Sequence, residues 1–427
     1  MDGTGEAKPG GSADGTGSWP WDSNERHNQG KQCTYNLFER SRANQWWQTI
    51  RCFPDFLSSL DSVCLVEASP QLREAQKAKL CGEDAVLVQS NNTYQCMMLE
   101  LGIPVHWYED LQMLPEAVVR QDSADRPANS AASTTPTVPF IVAHEFFDAL
   151  PIHAFQSAAA PEPAPGNLTL PARPHSKKRQ WRELLVSAAA PNRSLAMTGS
   201  SERQQAAQRP EFELTASRIT TTHAQLLPNT NSRYSSILQI EGSTIEISPE
   251  SISGMGKIAR LIGGSTGVQA SGRTATGCEA RGAALIIDYG PAETVPSNSL
   301  RGIRGHTMVS PLSQPGMVDI SADVDFVALA DAALSASPDV EVHGPVEQAF
   351  FLESLGIRQR GESLETQALK TGGPEAQKRI RDGWERLISR SAATRDGGMG
   401  RIYKALAVVP VSRPTRRPLG FGGDVSA

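Results

Sequence analysis

Glu145 and Asp148 stand three residues apart in His144-Glu145-Phe146-Phe147-Asp148, directly after the apolar run Phe140-Ile141-Val142-Ala143. A pair of carboxylates can grip a guanidinium through charge-assisted, often bidentate hydrogen bonds and so orient one nitrogen for attack. A helical turn over these residues would bring both acids to one side. The plainer use of such acids is to accept hydrogen bonds from backbone amides of a turn. Position favours chemistry. A short continuous apolar run reads as a central parallel strand covered on both faces, and residues just past its carboxyl end lie where open α/β sheets place ligands. Pro151 then keeps the chain from settling into a long helix.

Glu67 closes a second buried strand, Ser62–Ala68, and precedes a helix opened by Ser69 as N-cap and Pro70 in the first turn. An acid at this place in a nucleotide-binding fold accepts hydrogen bonds from ribose hydroxyls. An acid near a helix N-terminus is also favoured by the helix dipole. Both readings stay open. Asp288 and Tyr289 close a third strand, Ala283–Tyr289, and would either line the same crevice or form a strand-to-loop turn. Arg301, Arg304 and His306 lie among glycines in Ser299–Gly316, a segment suited to an acidic partner, to the crevice mouth or to a solvated loop. His144 and His153 have no third ligand at metal-binding spacing, so packed or hydrogen-bonding imidazoles and no metal site are expected. Serine-nucleophile elbows, Walker loops and HExxH motifs are missing from the sequence.

The elements that must position these residues alternate with looser segments. Residues 1–32 are low in complexity and expected to be disordered. Residues 36–60 carry Trp46, Trp47, Ile50 and Phe53 near helical spacing. Val105–Tyr108, Trp181–Ser187 and Lys404–Val409 read as strands. Ser236–Ile240 and Thr244–Ser248 read as a hairpin. Val346–Leu355, closed by Gly356, and Pro374–Arg390 read as helices. Segments 121–137, 157–180, 188–235 and 263–280 are rich in Pro, Ala, Ser, Gln, Gly and Thr and are expected to be mobile inserts. The pattern adds up to a doubly wound α/β sheet in one domain over 33–410, with a tail at 411–427.

Composition narrows the partners. The net charge of −5 over 427 residues gives no footprint for nucleic acid or an anionic membrane. No run approaches the ~18 apolar residues of a membrane span. The six cysteines are scattered without a CxxC pair, as in reduced thiols of an intracellular protein. The first residues show neither the pattern of a signal peptide nor that of a transit peptide.

Taken in order, several long segments resemble the MidA-like (DUF185) family. They are LVEASPQLREAQ (65–76), HEFFDALPIHAFQ (144–156), WRELLV (181–186), EISPE (246–250) and ALIIDYG (284–290), followed by residues 299–326, 344–357 and 399–406. The resemblance implies a Rossmann-like, seven-stranded S-adenosylmethionine-dependent methyltransferase. It also implies symmetric dimethylation of an arginine on a respiratory complex I subunit in support of complex assembly, a protein partner and mitochondrial localisation. It casts Glu67 as the ribose-binding acid and Glu145 and Asp148 as catalytic, with His144, Phe146, Asp288, Tyr289 and Arg301 lining the crevice or substrate. Two departures stand out. His144 replaces the family's asparagine, exchanging an amide for a titrating imidazole. Nothing in residues 1–60 matches the family's first strand and its glycine loop, so the central strand is expected to be missing. That departure raises an alternative: a partner-binding protein that has lost catalysis and uses the 299–326 surface.

Overall fold

Backbone hydrogen bonding builds the sheet on which everything else is mounted. In the computed structural model, the described residues are 32–38, 54–90, 93–98, 102–115, 138–160, 178–189, 211–264, 280–305, 307–391, 398–414 and 416–422. Their strands, in chain order, are β1 (Gln32–Phe38), β2 (Leu60–Val66), β3 (Val88–Ser90), β4 (Thr93–Met97), β5 (Pro104–Tyr108), β6 (Val138–His144), β7 (His153–Ala159) and β8 (Arg179–Ala188). They continue with β9 (Phe212–Ala216), β10 (Thr244–Ile247), β11 (Ala283–Tyr289), β12 (Arg301–Arg304), β13 (Thr307–Val309), β14 (Asp319–Ser321), β15 (Val340–Glu347) and β16 (Tyr403–Pro410).

Nine of these form the main sheet in the order β15-β16-β11-β6-β1-β2-β5-β4-β3. The five strands β11, β6, β1, β2 and β5 run parallel, whereas β16 lies antiparallel between β11 and β15. From β1 the chain proceeds outward through β2 to β5, then returns to the other side of β1 for β6 and β11. The gap between β1 and β6 is therefore the topological switch point, where open α/β sheets bind ligands. A four-stranded antiparallel sheet, β10-β7-β8-β9, and a three-stranded one, β13-β12-β14, complete the fold.

The central strand expected to be missing is present. Gln32–Phe38 pairs in parallel with β2 on one side and β6 on the other. Gln-Cys-Thr-Tyr-Asn-Leu-Phe lacks the continuous apolar run that marks a buried strand, but ladder hydrogen bonds join backbone groups and do not read side chains. The segment after it, 39–53, lies outside the described residues, and with it the place where the family's glycine loop is expected to be missing and the tryptophan-bearing part of the 36–60 helix. Pro54–Ser59 is helical. The expected disorder of 1–32 falls outside the described residues except for Gln32, which opens β1.

Other expectations are met or corrected. Ser69 caps the helix Pro70–Cys81, its Oγ accepting from the Leu72 amide at 3.3 Å. The same Ser-Pro signature recurs at Ser248-Pro249, where Ser248 Oγ accepts from the Ser251 amide at 3.1 Å and starts a helix over Pro249–Gly263 that the sequence reading missed. The helix expected over Pro374–Arg390 is the second half of Ile357–Ile388, which breaks at Gly373 just before Pro374. The expected hairpin around Glu241-Gly242 does not form. Ser232–Leu238 is a helix capped by Asn231, and Thr244–Ile247 pairs instead with β7. The expected inserts at 157–180 and 188–235 also contain ordered parts: β7, β8, β9 and the short helix Thr222–Leu226. In the tail, Phe421 is buried and packs against Phe351 with ring centroids 5.4 Å apart.

Packing follows from the apolar faces. The helices Pro249–Gly263 and Phe326–Ala336 cover one face of the sheet, packing Met255, Ile258, Ile262, Phe326 and Leu329 with Ile141, Ile286, Leu406 and Val408. Each such fully buried side chain contributes roughly 1.5–3 kcal/mol. A second cluster joins β2 and β5 through Val63, Leu65, Val105 and Trp107. There the Trp107 indole donates to Gln76 at 2.9 Å, so its one polar atom is satisfied in the interior. A third holds Phe155, Trp181, Tyr234, Ile245 and Ile247 beneath the four-stranded sheet.

One turn ties the start of β11 to β6. Gly282 has φ +90°, and a Cβ there would lie 2.0 Å from the Pro139 carbonyl oxygen. Gly282→Ala is expected to destabilise the fold by more than the roughly 1–3 kcal/mol of a strained backbone position, because β6 must also shift. Urea unfolding checks this, and an unchanged midpoint would contradict it.

Candidate functional site

Three parallel strands deliver acids to one edge of the sheet. Glu67 follows β2, Glu145 follows β6 and Asp288 sits at the end of β11. The loop after β6 is shaped from beneath by Asp288, which is fully buried. Its Oδ2 accepts the amides of Phe146, Phe147 and Asp148 at 3.1, 3.0 and 3.4 Å, and its Oδ1 accepts the Tyr289 amide at 2.9 Å. Burial raises the Asp288 carboxyl well above its ordinary value and the neighbouring Asp148 adds to this, while the converging amides oppose it. Asp288 therefore shapes the loop from below and is not a crevice-lining side chain.

The loop is not the helical turn expected from the spacing of its acids. Glu145 takes φ +50°, in the left-handed region that a non-glycine residue adopts at a cost. Its amide donates to the Ile287 carbonyl at 3.0 Å, stitching the bend to β11. The two carboxylates nevertheless end up close, because a pair of tyrosines gathers them. The Tyr403 hydroxyl donates to Glu145 Oε1 at 2.8 Å. The Tyr289 hydroxyl donates to Asp148 Oδ2 through a short hydrogen bond. The two tyrosine rings meet edge to face at 5.4 Å. Burial pushes the Asp148 carboxyl up to about 6; the Glu145 charge adds to this, while the Tyr289 hydroxyl, the Arg301 charge and the Ala149 amide oppose it. Asp148 Oδ1 is buried and accepts no hydrogen bond of ordinary geometry among the described residues.

Arg301 closes one side. Its guanidinium lies 4.2 Å from the centroid of the Tyr289 ring and donates to Asp323 at 2.8 Å. The strand that carries it is anchored by buried Glu246, which accepts the amides of Ser299 and Leu300 at 2.9 and 3.3 Å. His144 stands on the other side, with Nδ1 3.8 Å from Glu145 Oε1 and its ring 6.3 Å from that of Tyr403. Phe146 packs edge-on to the core residue Phe147 at 5.3 Å. Next to this group a cleft of about 500 Å³ is lined by Gly290, Asp323, Glu347, Arg390, Arg401 and Lys404.

Glu67 sits apart from this cluster on the β2 side. One oxygen accepts the Ser69 amide at 2.9 Å and the other the Gln76 side chain at 3.1 Å, so both tie Glu67 to the following helix. Arg73 donates to the Glu67 carbonyl and lies over the Tyr94 ring at 3.7 Å.

The structure thus joins His144, Glu145, Phe146, Asp148, Tyr289 and Arg301 in one group, puts Asp288 beneath it and leaves Glu67 at the neighbouring strand end. Tyr403 and Asp323 escaped the sequence reading. Tyr403 follows Glu145 by 258 residues and reaches it only through the antiparallel pairing of β16 with β11, which no local pattern announces. Elsewhere, His153, Glu183 and His223 place three possible ligand atoms within 4.8 Å of one another. Glu183 on β8 and His223 on the helix Thr222–Leu226 thus lie beside His153 although both are distant from it in the chain.

A doubly wound sheet with acids at the carboxyl ends flanking its switch point defines a nucleotide- or cofactor-binding α/β protein. The family described as "Putative S-adenosyl-L-methionine-dependent methyltransferase" matches residues 43–346, more than half of the chain, and the chain belongs to that family. It is 28% identical over 374 residues to protein arginine methyltransferase NDUFAF7, mitochondrial, of Xenopus tropicalis, covering 85% of this chain and 65% of that protein. It is also 28% identical over 354 residues to the Mus musculus protein of the same name, covering 82% and 60%. The chain therefore spans less than two thirds of the length of these relatives. Among solved structures it resembles a COG1565 superfamily member from Burkholderia thailandensis bound to S-adenosyl-homocysteine. The TM-score is 0.53 at 19% identity, covering 93% of this chain and 76% of that one, a likeness of fold.

In Asp288→Asn one carboxylate oxygen becomes an amide nitrogen, so a donor faces at least one of the amides it used to accept. The expected cost is roughly 1–3 kcal/mol, with faster hydrogen exchange at Phe146–Asp148 or Tyr289 than in the core strands. Unchanged exchange at all four amides would count against the clamp.

Proposed function

We propose that the chain is an S-adenosylmethionine-dependent methyltransferase that modifies an arginine side chain of a protein. The observation that carries this reading is the pair Glu145 and Asp148. Each accepts a tyrosine hydroxyl, and Asp148 Oδ1 is buried with no hydrogen bond of ordinary geometry among the described residues, the Ala149 amide offering only a weak approach to that carboxyl. A buried acceptor without a donor is costly unless something fills it. A guanidinium brings planar N–H groups and a charge that matches two carboxylates.

In this reading Glu67 accepts from the ribose hydroxyls of the cofactor at the end of β2. When bound, S-adenosylmethionine supplies an electrophilic methyl group. Glu145 and Asp148 fix the plane of the guanidinium so that one nitrogen points at that group, which is the alignment an in-line displacement requires. Tyr289, whose hydroxyl is pushed up by burial and by Asp148, stays protonated and keeps donating. Arg301, paired to Asp323, closes the wall behind Tyr289. The proton shed by the methylated nitrogen has an acceptor at hand in Asp148. The relatives are named mitochondrial protein arginine methyltransferases, and by resemblance to the MidA-like family the substrate would be an arginine of a complex I subunit. Methylation would then be symmetric, serve complex assembly and take place in the mitochondrion.

A second reading, a non-catalytic partner-binding protein, draws on one observation. The stretch from Glu39 to Phe53, directly after β1, contains no glycine, whereas backbone approach to a cofactor favours glycine there. Calorimetry with S-adenosylmethionine separates the two. Micromolar binding that weakens in Glu67→Ala supports the enzyme, and absence of binding supports the alternative.

Glu145→Gln combined with Asp148→Asn is expected to abolish methylation of an arginine-containing protein substrate while leaving cofactor binding intact. Retained activity in the double variant would sink the assignment. The acid limb offers a separate check. Asp148, raised to about 6, is charged above that pH and neutral below it, so kcat/KM should rise with pH through about 6 and flatten beyond. In Asp148→Asn that limb should vanish from whatever activity remains.

A further inference from the structure

The four-stranded sheet carries a cluster that the methyl-transfer reading does not use. His153 opens β7, directly after the loop that bears Glu145 and Asp148. Glu183 lies on the adjacent strand β8, paired in register with Phe155. His223 comes from the short helix Thr222–Leu226. Glu183 Oε1 is 2.9 Å from His153 Nδ1 and 3.2 Å from His223 Nδ1, and the two imidazole centroids are 4.2 Å apart.

We propose that His153, Glu183 and His223 form a binding site for a late first-row divalent cation, with Zn²⁺ as its natural probe. Three independent features carry this. The donor set is two imidazoles and one carboxylate, the nitrogen- and oxygen-rich mixture that Zn²⁺ and its neighbours bind. The spacing fits as well: with metal–ligand bonds near ~2.0–2.2 Å, tetrahedral donors lie about 3.3 Å apart, close to the 2.9 and 3.2 Å observed. The exposure is graded, with the Glu183 side chain 7% exposed, His153 26% and His223 55%. A buried carboxylate at the base and a half-exposed imidazole at the rim leave an open side for water as a further ligand.

The cation would cross-link β7, β8 and the helix that follows β9. Its position gives this a consequence for the neighbouring site. The loop from Glu145 to Ile152 is held at its start by Asp288 and runs into His153, so a cation there fixes the far end of the same loop. This inference goes beyond the proposed methyl transfer and stands or falls without it. Its rival is a closed hydrogen-bond set in which both imidazoles simply donate to Glu183.

The test uses the full chain, stripped with EDTA, dialysed and titrated with ZnCl₂ by calorimetry, with Co²⁺ absorption as a second measurement. The expected result is one cation per chain bound at micromolar or tighter affinity, a rise in melting temperature with Zn²⁺ and visible Co²⁺ bands of a four- or five-coordinate site. His223→Ala, at an exposed position that leaves the fold in place, should weaken binding at least about tenfold and bleach the Co²⁺ bands. Glu183→Gln should do the same. Absence of stoichiometric binding would overturn the proposal in favour of the hydrogen-bond set. Binding unaltered by His223→Ala would overturn it by placing the metal elsewhere.

Discussion

The site depends on one buried carboxylate. Asp288 has no access to solvent, and it accepts three successive amides from the loop after β6 together with that of its own successor. Turning three consecutive N–H groups towards one point requires a tight bend, and the left-handed Glu145 provides it. An isolated loop would not hold such a conformation, since the backbone cost is of order 1–3 kcal/mol. Here the converging amides solvate the carboxylate and the carboxylate holds the bend, so each offsets the cost of the other. The side chains of Glu145 and Asp148 inherit their positions from this arrangement.

Above that clamp the chemistry is one of crowded acids kept apart by neutral donors. Glu145 and Asp148 would repel each other, and burial alone already disfavours the charged form of Asp148. Tyrosine hydroxyls relieve this without neutralising it. Lysine or arginine in their place would form closed ion pairs and leave no demand for an incoming cation. Tyr289 and Tyr403 brace each other edge to face, so neither ring can turn without disturbing its partner. Arg301 is paired with Asp323, and its charge favours the ionised form of Asp148 only in part, since burial still leaves that carboxyl raised. The pocket keeps an unspent preference for positive charge.

How much of this was legible in the sequence differs by level. The strands β2, β5, β6 and β11 announced themselves through short, mainly apolar runs, although β6 and β11 alternate buried with half-buried residues. Helix starts at Ser69-Pro70 were readable from cap chemistry, and the same signature at Ser248-Pro249 could have been. β1 was not legible, because Gln32–Phe38 mixes polar and apolar residues and its evidence is the backbone ladder on either side. Nor was the Ser232–Leu238 helix, where Glu241-Gly242 suggested a hairpin but Thr244–Ile247 found a better partner in β7. At the candidate site, Glu67, Glu145, Asp148 and Tyr289 were singled out because they stand at or just past strand ends. Tyr403 and His223 were missed because their partners lie far away in the chain, and spacing rules see only neighbours.

Sheet topology explains why such distant residues converge. The parallel strands put all their carboxyl ends on one edge, which gathers Glu67, Glu145 and Asp288 there with no special sequence relation among them. Antiparallel β16 runs the opposite way, so its first residue, Tyr403, pairs with the last residue of β11, Tyr289. A reversed strand inserted beside β11 thus supplies from its beginning what a parallel strand could supply only from its end. The same logic extends to the smaller sheet, whose strand β7 begins where the acidic loop stops. The loop is pinned by β11 beneath it and delivered directly into β7, so its geometry belongs to two sheets at once. A group held from both ends in this way can stay strained at Glu145 and keep an unfilled acceptor at Asp148, because relaxing either would require moving a strand.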